Sequence, residues 1–378
     1  MKFSTNFSSK PFRILFTALL CLSGCTAKNN QTISFTDDHT TAAQNKLLIA
    51  VLPLSNLGGT PAPLKDIRQQ LVASFRKQGL NILAEEVLEK FILKHRIRYV
   101  GGIDETTTQD FRFETGADAV LITSLELYSD LFPPKIALTC RLVSTGNKPE
   151  ILWMDGVGLA GNDSQGLLQL SLIKDPRELV EQAVRQLSSS LEGYLAGKTF
   201  STDSQRNIIK FWPKAFYRSP IFEPEWEYTV AVIPFLNLSG KKFAGEIIAL
   251  NFVSQLRRQG KLTAIEPGLI RNVFLRKRIV MGDGISLYNA YTVLRDLEAD
   301  LILGGKIFDY QDSQGLSGKA KVDFSAFLIE RRSREVVWTC QSHNEGDYGV
   351  FFFDWGKVNT AHRMAFEMVA SALETLVE

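Results

Sequence analysis

The chain has 378 residues, 45% hydrophobic and 22% charged, with 43 basic against 41 acidic side chains and a formal net charge of +2. That balance announces no surface for a polyanion, which excludes nucleic acid as an expected partner, and the apolar content is that of ordinary globular folding. The length exceeds what one hydrophobic core normally supports and predicts two domains.

The first segment is a targeting signal. Lys2, Lys10 and Arg13 precede an apolar run from Ile14 through Leu22, which leads into Leu22-Ser23-Gly24-Cys25. This is the layout of a secretory signal peptide. The run is far shorter than the roughly 20 residues a helix needs to cross a bilayer. Leu-Ser-Gly-Cys resembles the lipobox of bacterial lipoproteins, which implies removal of residues 1–24 and lipidation of Cys25. Thr26 follows where an Asp would favour inner-membrane retention. By the same resemblance the anchor is expected in the outer membrane, facing the periplasm. Each buried methylene of an acyl anchor adds about 0.8 kcal/mol. Residues 25–45 are polar, without apolar periodicity, and read as the lipidated Cys and a flexible tether.

Beyond the tether the sequence repeats. Ile49-Ala-Val-Leu-Pro-Leu-Ser-Asn-Leu-Gly-Gly59 matches Val230-Ala-Val-Ile-Pro-Phe-Leu-Asn-Leu-Ser-Gly240, and the register persists through Phe75–Gly79 against Leu256–Gly260, then Ala117-Asp118 against Ala299-Asp300. Tyr128 answers to Tyr310 and Trp153 to Trp338. The reading is a duplicated domain, 46–197 and 226–378, joined by a linker at 198–225.

Each copy opens with a continuous apolar run, 47–52 and 228–233, suited to a central strand buried on both faces and ended by Pro53 and Pro234. Ile67, Leu71 and Phe75, like Ile248, Phe252 and Leu256, recur four apart and predict an amphipathic helix, which Gly79 and Gly260 stop. Short strands follow at 80–84 and 261–265, then helices ending near His95 and Lys277 and a third helix at 107–115 and 286–297. The strands at 119–125 and 301–307 lead into extended segments at 135–143 with 151–158, and 319–329 with 335–341, read as antiparallel hairpins. A closing amphipathic helix carries Leu179, Ala183, Val184 and Leu187, or Ala361, Met364, Ala365 and Met368. The fold class expected is α/β, two tandem copies of a mixed-sheet α/β sandwich. Phe211, Trp212, Phe216 and Tyr217 are expected to pack the linker onto a domain.

The opening Val-Ala-Val-Ile-Pro-Phe-Leu-Asn-Leu-Ser-Gly, the Glu298–Lys306 strand and the Arg332-Ser-Arg-Glu-Val-Val-Trp338 hairpin resemble the envelope proteins of the curli secretion component (CsgG) and TolB N-terminal-like superfamily, which includes outer-membrane activators of penicillin-binding proteins. The resemblance implies an envelope location, but its members include pores, activators and adaptors. The hairpin segments lack a sustained lipid-facing alternation, so a pore is disfavoured.

The residue types that carry chemistry are sparse. His39, His95, His343 and His362 have no metal-ligand spacing, and His-Glu-x-x-His, Gly-x-Ser-x-Gly and phosphate-loop motifs are missing. No catalytic residue, metal or cofactor is expected, and the protein reads as no enzyme. Gly240-Lys241-Lys242, Asn56 and Asn237 read as turns, and Asp118 and Asp300 as carboxylates that satisfy free amides at a helix-to-strand junction. Cys140 and Cys340 fall on core strands at non-equivalent places, expected as free thiols. Phe351, Phe352, Phe353 and Trp355 form an aromatic run before the last helix. It reads either as a partner-docking patch or as core tucked beneath that helix, as the aliphatic Leu167–Ile173 suggests for the first copy. The function expected is a non-enzymatic envelope accessory or adaptor that binds a protein partner. The alternatives are a component of an oligomeric secretion or transport assembly, or a hydrolase with an unrecognised site.

Overall fold

A short apolar strand with parallel neighbours on both sides starts each copy, because the chain leaves and re-enters it through helices. The computed structural model describes residues 47–163, 172–198, 209–348, 350 and 356–377. In the first copy β1 (Leu48–Val51) lies between β3 (Asn81–Ile82) and β4 (Ala119–Ser129), parallel to both. Parallel neighbours cannot be joined by a tight turn. The crossovers are α1 (Leu64–Lys77) before β3, then α2 (Glu85–Lys94) and α3 (Glu105–Thr115) before β4, while β2 (Ser55–Asn56) runs beside the far half of β4. From β4 the sheet continues as hairpins through β5 (Lys135–Ser144) and β6 (Ile151–Ala160), and α4 (Pro176–Leu195) closes the copy. The sheet order is β3-β1-β4-β5-β6.

The second copy repeats this plan with one addition, an outer strand β7 (Ala215–Arg218). It then runs through β8 (Tyr228–Val232), β9 (Leu236–Asn237), α5 (Ala244–Gln259), β10 (Leu262–Ala264), α6 (Pro267–Lys277) and α7 (Leu287–Asp296). β11 (Leu301–Gln311), β12 (Lys321–Glu330), β13 (Val336–Glu345) and α8 (Ala361–Val377) complete it. The order is β10-β8-β11-β12-β13-β7. Fine geometry repeats too. Leu57 N donates to Leu125 O at 2.7 Å and Leu238 N to Ile307 O at 2.8 Å. Arg96 and Arg278 share a left-handed backbone, φ 51 and 55. Trp153 and Trp338, opposite Leu142 and Leu328, are fully buried.

Apolar clusters fill both faces of each sheet. Ile67, Leu71 and Phe75 of α1 join Leu179, Ala183 and Leu187 of α4 on one face, while Leu88, Phe91 and Phe111 of α2 and α3 cover the other. The fold is therefore α/β, two copies of a mixed-sheet sandwich, and both belong to one compact unit.

Three sequence expectations need correction. β1 and β8 were expected at the sheet centres, yet they lie second from an edge with β4 and β11 central, because the hairpins extend the sheet only beyond those strands. β4 and β11 run to Ser129 and Gln311, past the expected 125 and 307, since pairing resumes after a register shift at Leu125/Leu127 and Ile307/Asp309. Within the segment read as linker, β7 pairs with β13; Phe211 before it is buried, but Phe216 and Tyr217 are half exposed.

Candidate functional site

The repeat-matched carboxylates Asp118 and Asp300 hold the sheet together. Leu48 N donates to Asp118 Oδ2 at 2.8 Å and Thr229 N to Asp300 Oδ2 at 3.0 Å, so each carboxylate receives an amide at the start of its copy's first strand. Arg112 and Arg331 pair with the second oxygens. Asn56 Oδ1 accepts from Gly58 N at 3.0 Å, and Asn237 Oδ1 from Ser239 N at 3.0 Å, closing the turns after β2 and β9.

The unusual chemistry lies where the copies meet, along β5 and β6 of the first and α5, α6 and α8 of the second. Ile151 and Met154 of β6 belong to the second copy's core. Arg141 on β5 reaches Glu266, the residue that caps α6, with Nε to Oε2 at 2.9 Å and Nη2 to Oε1 at 2.8 Å. The side chains are 1% and 0% exposed. Arg141 Nη2 also donates to Gly101 O at 2.6 Å, and Glu266 Oε1 accepts from Gly268 N at 3.2 Å and Ile103 N at 3.4 Å. Burial opposes the guanidinium's charge, but the attached carboxylate more than offsets it and holds the Arg141 pKa above its ordinary value. Gly268 permits the approach, because a Cβ there would sit 2.3 Å from the Ile103 backbone.

A second buried pair joins the copies at α8. His362 Nδ1 lies 2.5 Å from Glu126 Oε2 on β4, and Thr139 Oγ1 donates to Glu126 Oε1 at 2.6 Å. Burial pushes the imidazole pKa down, yet Glu126, with Asp312 and Asp155 beyond it, raises it overall. Gly158 on β6 leaves room for the ring, since a Cβ would come within 2.8 Å of His362 Cδ2. Burial raises the carboxyls of Asp312 and Asp163, which accept from Ala361 N at 2.8 Å and Asn359 Nδ2 at 2.9 Å. It lowers the Lys135 ammonium. Arg258 and Asp155 add a third cross-copy ion pair at 2.7 Å. Three charged pairs of this seam, Arg141–Glu266, Glu126–His362 and Asp155–Arg258, are made between the two copies, which is a fastening role.

Beside Arg141–Glu266 lies a cleft of about 400 Å³, lined by Leu57 and Tyr99 of the first copy and Pro234, Glu246, Ile270 and Phe274 of the second. The Arg271 guanidinium stacks 4.0 Å from the Tyr99 ring centroid, and burial raises the Glu246 carboxyl. A wider groove of about 1080 Å³ lies on the first copy between α1 and α2, lined by Pro53, Val72, Leu88, Ile92 and Leu93 with Lys65, Arg68 and Glu89.

Of the residues singled out in the sequence, Cys25 and the run Phe351, Phe352, Phe353 and Trp355 lie outside the described residues. His95 pairs with Glu114 at 3.0 Å and His343 with Asp323 at 3.1 Å, each within its own copy. Cys140 and Cys340 are free and buried, with thiols pushed up to about 12 by burial. Among the described residues no group of three or more His, Cys, Asp or Glu side chains is placed to hold a metal, and no helix is long and apolar enough to cross a membrane. Arg141, Glu266, Glu126 and His362 carry no local motif. The available signal was a difference between repeat-mates, since charged residues stand where the other copy has Phe327, Ala84 and Phe308.

No protein-family model and no curated protein sequence matches the chain. Parts of it are similar to solved structures. The PelC dodecamer from Paraburkholderia phytofirmans is 18% identical over 43% of this chain and 94% of that one, with a TM-score of 0.31. Lipoprotein GNA1162 from Neisseria meningitidis is 19% identical over 38% and 98%, TM-score 0.28. The LpoB C-terminal domain from Escherichia coli is 13% identical over 31% and 82%, TM-score 0.23.

Proposed function

We propose that the chain is a lipid-anchored protein of the bacterial envelope, held in the outer membrane through Cys25, and that it acts as a non-enzymatic accessory or adaptor for a periplasmic protein partner. Placement in the tandem TolB N-terminal-like and CsgG-like superfamily belongs to the same proposal. The observation that carries it is the joining of the copies by buried cross-copy pairs, Arg141–Glu266 and Glu126–His362, which makes one body out of two domains. Behind a lipid anchor and a polar tether, such a body presents fixed surfaces at a distance from the membrane. The charged pairs of the seam are made between the copies, which suits a scaffold. An oligomeric assembly is the second reading, favoured by the open α1–α2 groove.

The adaptor reading is tested by crosslinking in cells followed by mass spectrometry, with the parent chain, Cys25→Ser and Phe352→Ser/Trp355→Ala side by side. It expects one envelope protein enriched with the parent and depleted with Cys25→Ser. Equal recovery of the same proteins by the parent and by Cys25→Ser contradicts it.

A further inference from the structure

The cleft in the second copy and the groove in the first are the same place in the repeat. Pro53, Lys65, Leu88 and Ile92 of the groove are the repeat-mates of Pro234, Glu246, Ile270 and Phe274 of the cleft. In the second copy the first copy walls this place with Leu57 and Tyr99 and narrows it to about 400 Å³. In the first copy no other element among the described residues walls it, and Leu93 on its side is 76% exposed.

The surface that does the filling also recurs. Leu238, the mate of Leu57 with the same backbone hydrogen bond to its central strand, is 57% exposed. The pairs that fasten the seam change together. Arg141 sits opposite Ile122 as Phe327 sits opposite Gly304, and Glu266 precedes α6 as Ala84 precedes α2. Glu126 lies between the register positions Leu125 and Leu127, as the 43%-exposed Phe308 lies between Ile307 and Asp309. His362 is the second residue of α8 as the exposed Arg177 is of α4. A copy of the seam made between molecules therefore sets Phe327 against Ala84 and Phe308 beneath the Arg177 guanidinium. That is an apolar contact and a cation over a ring, and the Arg177 guanidinium keeps Asp175 at 2.9 Å as its exposed partner.

We propose that the Leu238–Phe308 end of one molecule docks into the α1–α2 groove of another, repeating between chains the contact that joins the two copies within a chain. The occupant of the groove is a second copy of this protein. The contact is head-to-tail, so every added molecule leaves one groove and one docking end free, and the assembly closes into a ring or extends as a filament. The edge of β13 takes no part in this contact: its repeat-mate β6 meets the second copy through Leu152 O, which accepts from Arg257 Nη2, and through Asp155, whereas β7 covers the matching Val337 and Cys340, so the contact between chains repeats the seam at β11 and β12. This inference rests on and deepens the second reading, the oligomeric assembly, and is independent of the adaptor's partner.

The test is sedimentation of the purified full chain carrying Cys25→Ser, so that no lipid drives association, from about 1 to 100 µM. The parent is expected to form species larger than a monomer that grow with concentration. Leu238→Asp/Phe308→Asp at the docking end, or Leu93→Asp in the groove, is expected to weaken association by about tenfold or more with melting unchanged. Mixing these two variants is expected to restore a one-to-one dimer and nothing larger, the signature of a head-to-tail contact. A parent chain that stays monomeric overturns the proposal. So does association equal to the parent's in both variants, or a groove shielded in the monomer by another segment of the chain, read as thiol-reagent protection of Leu93→Cys.

Discussion

Arg141 and Glu266, 125 residues apart and in different copies of the repeat, form a two-pronged ion pair with neither side chain reaching solvent. Such a pair fastens more than it strengthens, because desolvating both charges offsets most of their attraction. Removing one partner is another matter. Glu266→Ala leaves a buried guanidinium unpaired and is expected to cost about 3–5 kcal/mol in urea unfolding. Arg141→Phe/Glu266→Ala, which installs the repeat-mates Phe327 and Ala84 at these positions, is expected to recover most of that loss. A single variant as stable as the parent would show that the pair does not hold the copies.

The seam is expected to weaken as pH rises. His362 has a folded pKa raised above its ordinary 6.5, so its contribution is complete below that value and is lost as pH climbs through the raised one. Asp312 and Asp163, also raised, act in the same sense from lower pH, since burial penalises their ionisation. Lys135, lowered by burial, acts oppositely and only in the alkaline range. Melting temperature should therefore fall from about pH 6.5 towards 9 in the parent, and less in His362→Gln. Parallel curves for the two proteins contradict this assignment.

The elements were legible because they are written twice in a local code. Ile67, Leu71 and Phe75 recur at helical spacing, as do Ile248, Phe252 and Leu256, and all six are buried. What stayed hidden depends on contacts without local periodicity. His362 meets Glu126 from 236 residues away, and the glycines that admit its ring lie on β6. The placement of β1 off-centre depends on which side of it each crossover helix delivers the chain, and no residue pattern within the strand encodes that side. β7 lies in the segment 198–225 that reads as linker, because a strand of four residues is too short for alternation to mark it.

The first strands give a direct check of the duplicated core. Leu52 and Ile233, just past β1 and β8, are 2% and 1% exposed. Leu52→Asp and Ile233→Asp are each expected to destabilise by several kcal/mol, since a carboxylate there has no partner and little water. Thermal melting of both variants measures this, and a parent-like curve for either would remove that residue from the core.

A lipid at Cys25 is expected to carry this body. Intact-mass spectrometry of the protein extracted from its native membranes tests it most directly. The expected result is a mature chain beginning at Cys25 with the added mass of acyl chains, and a Cys25→Ser chain that lacks them and leaves the membrane fraction while melting like the parent. An unacylated mature chain, or a Cys25→Ser protein still tightly bound to membranes, would contradict it.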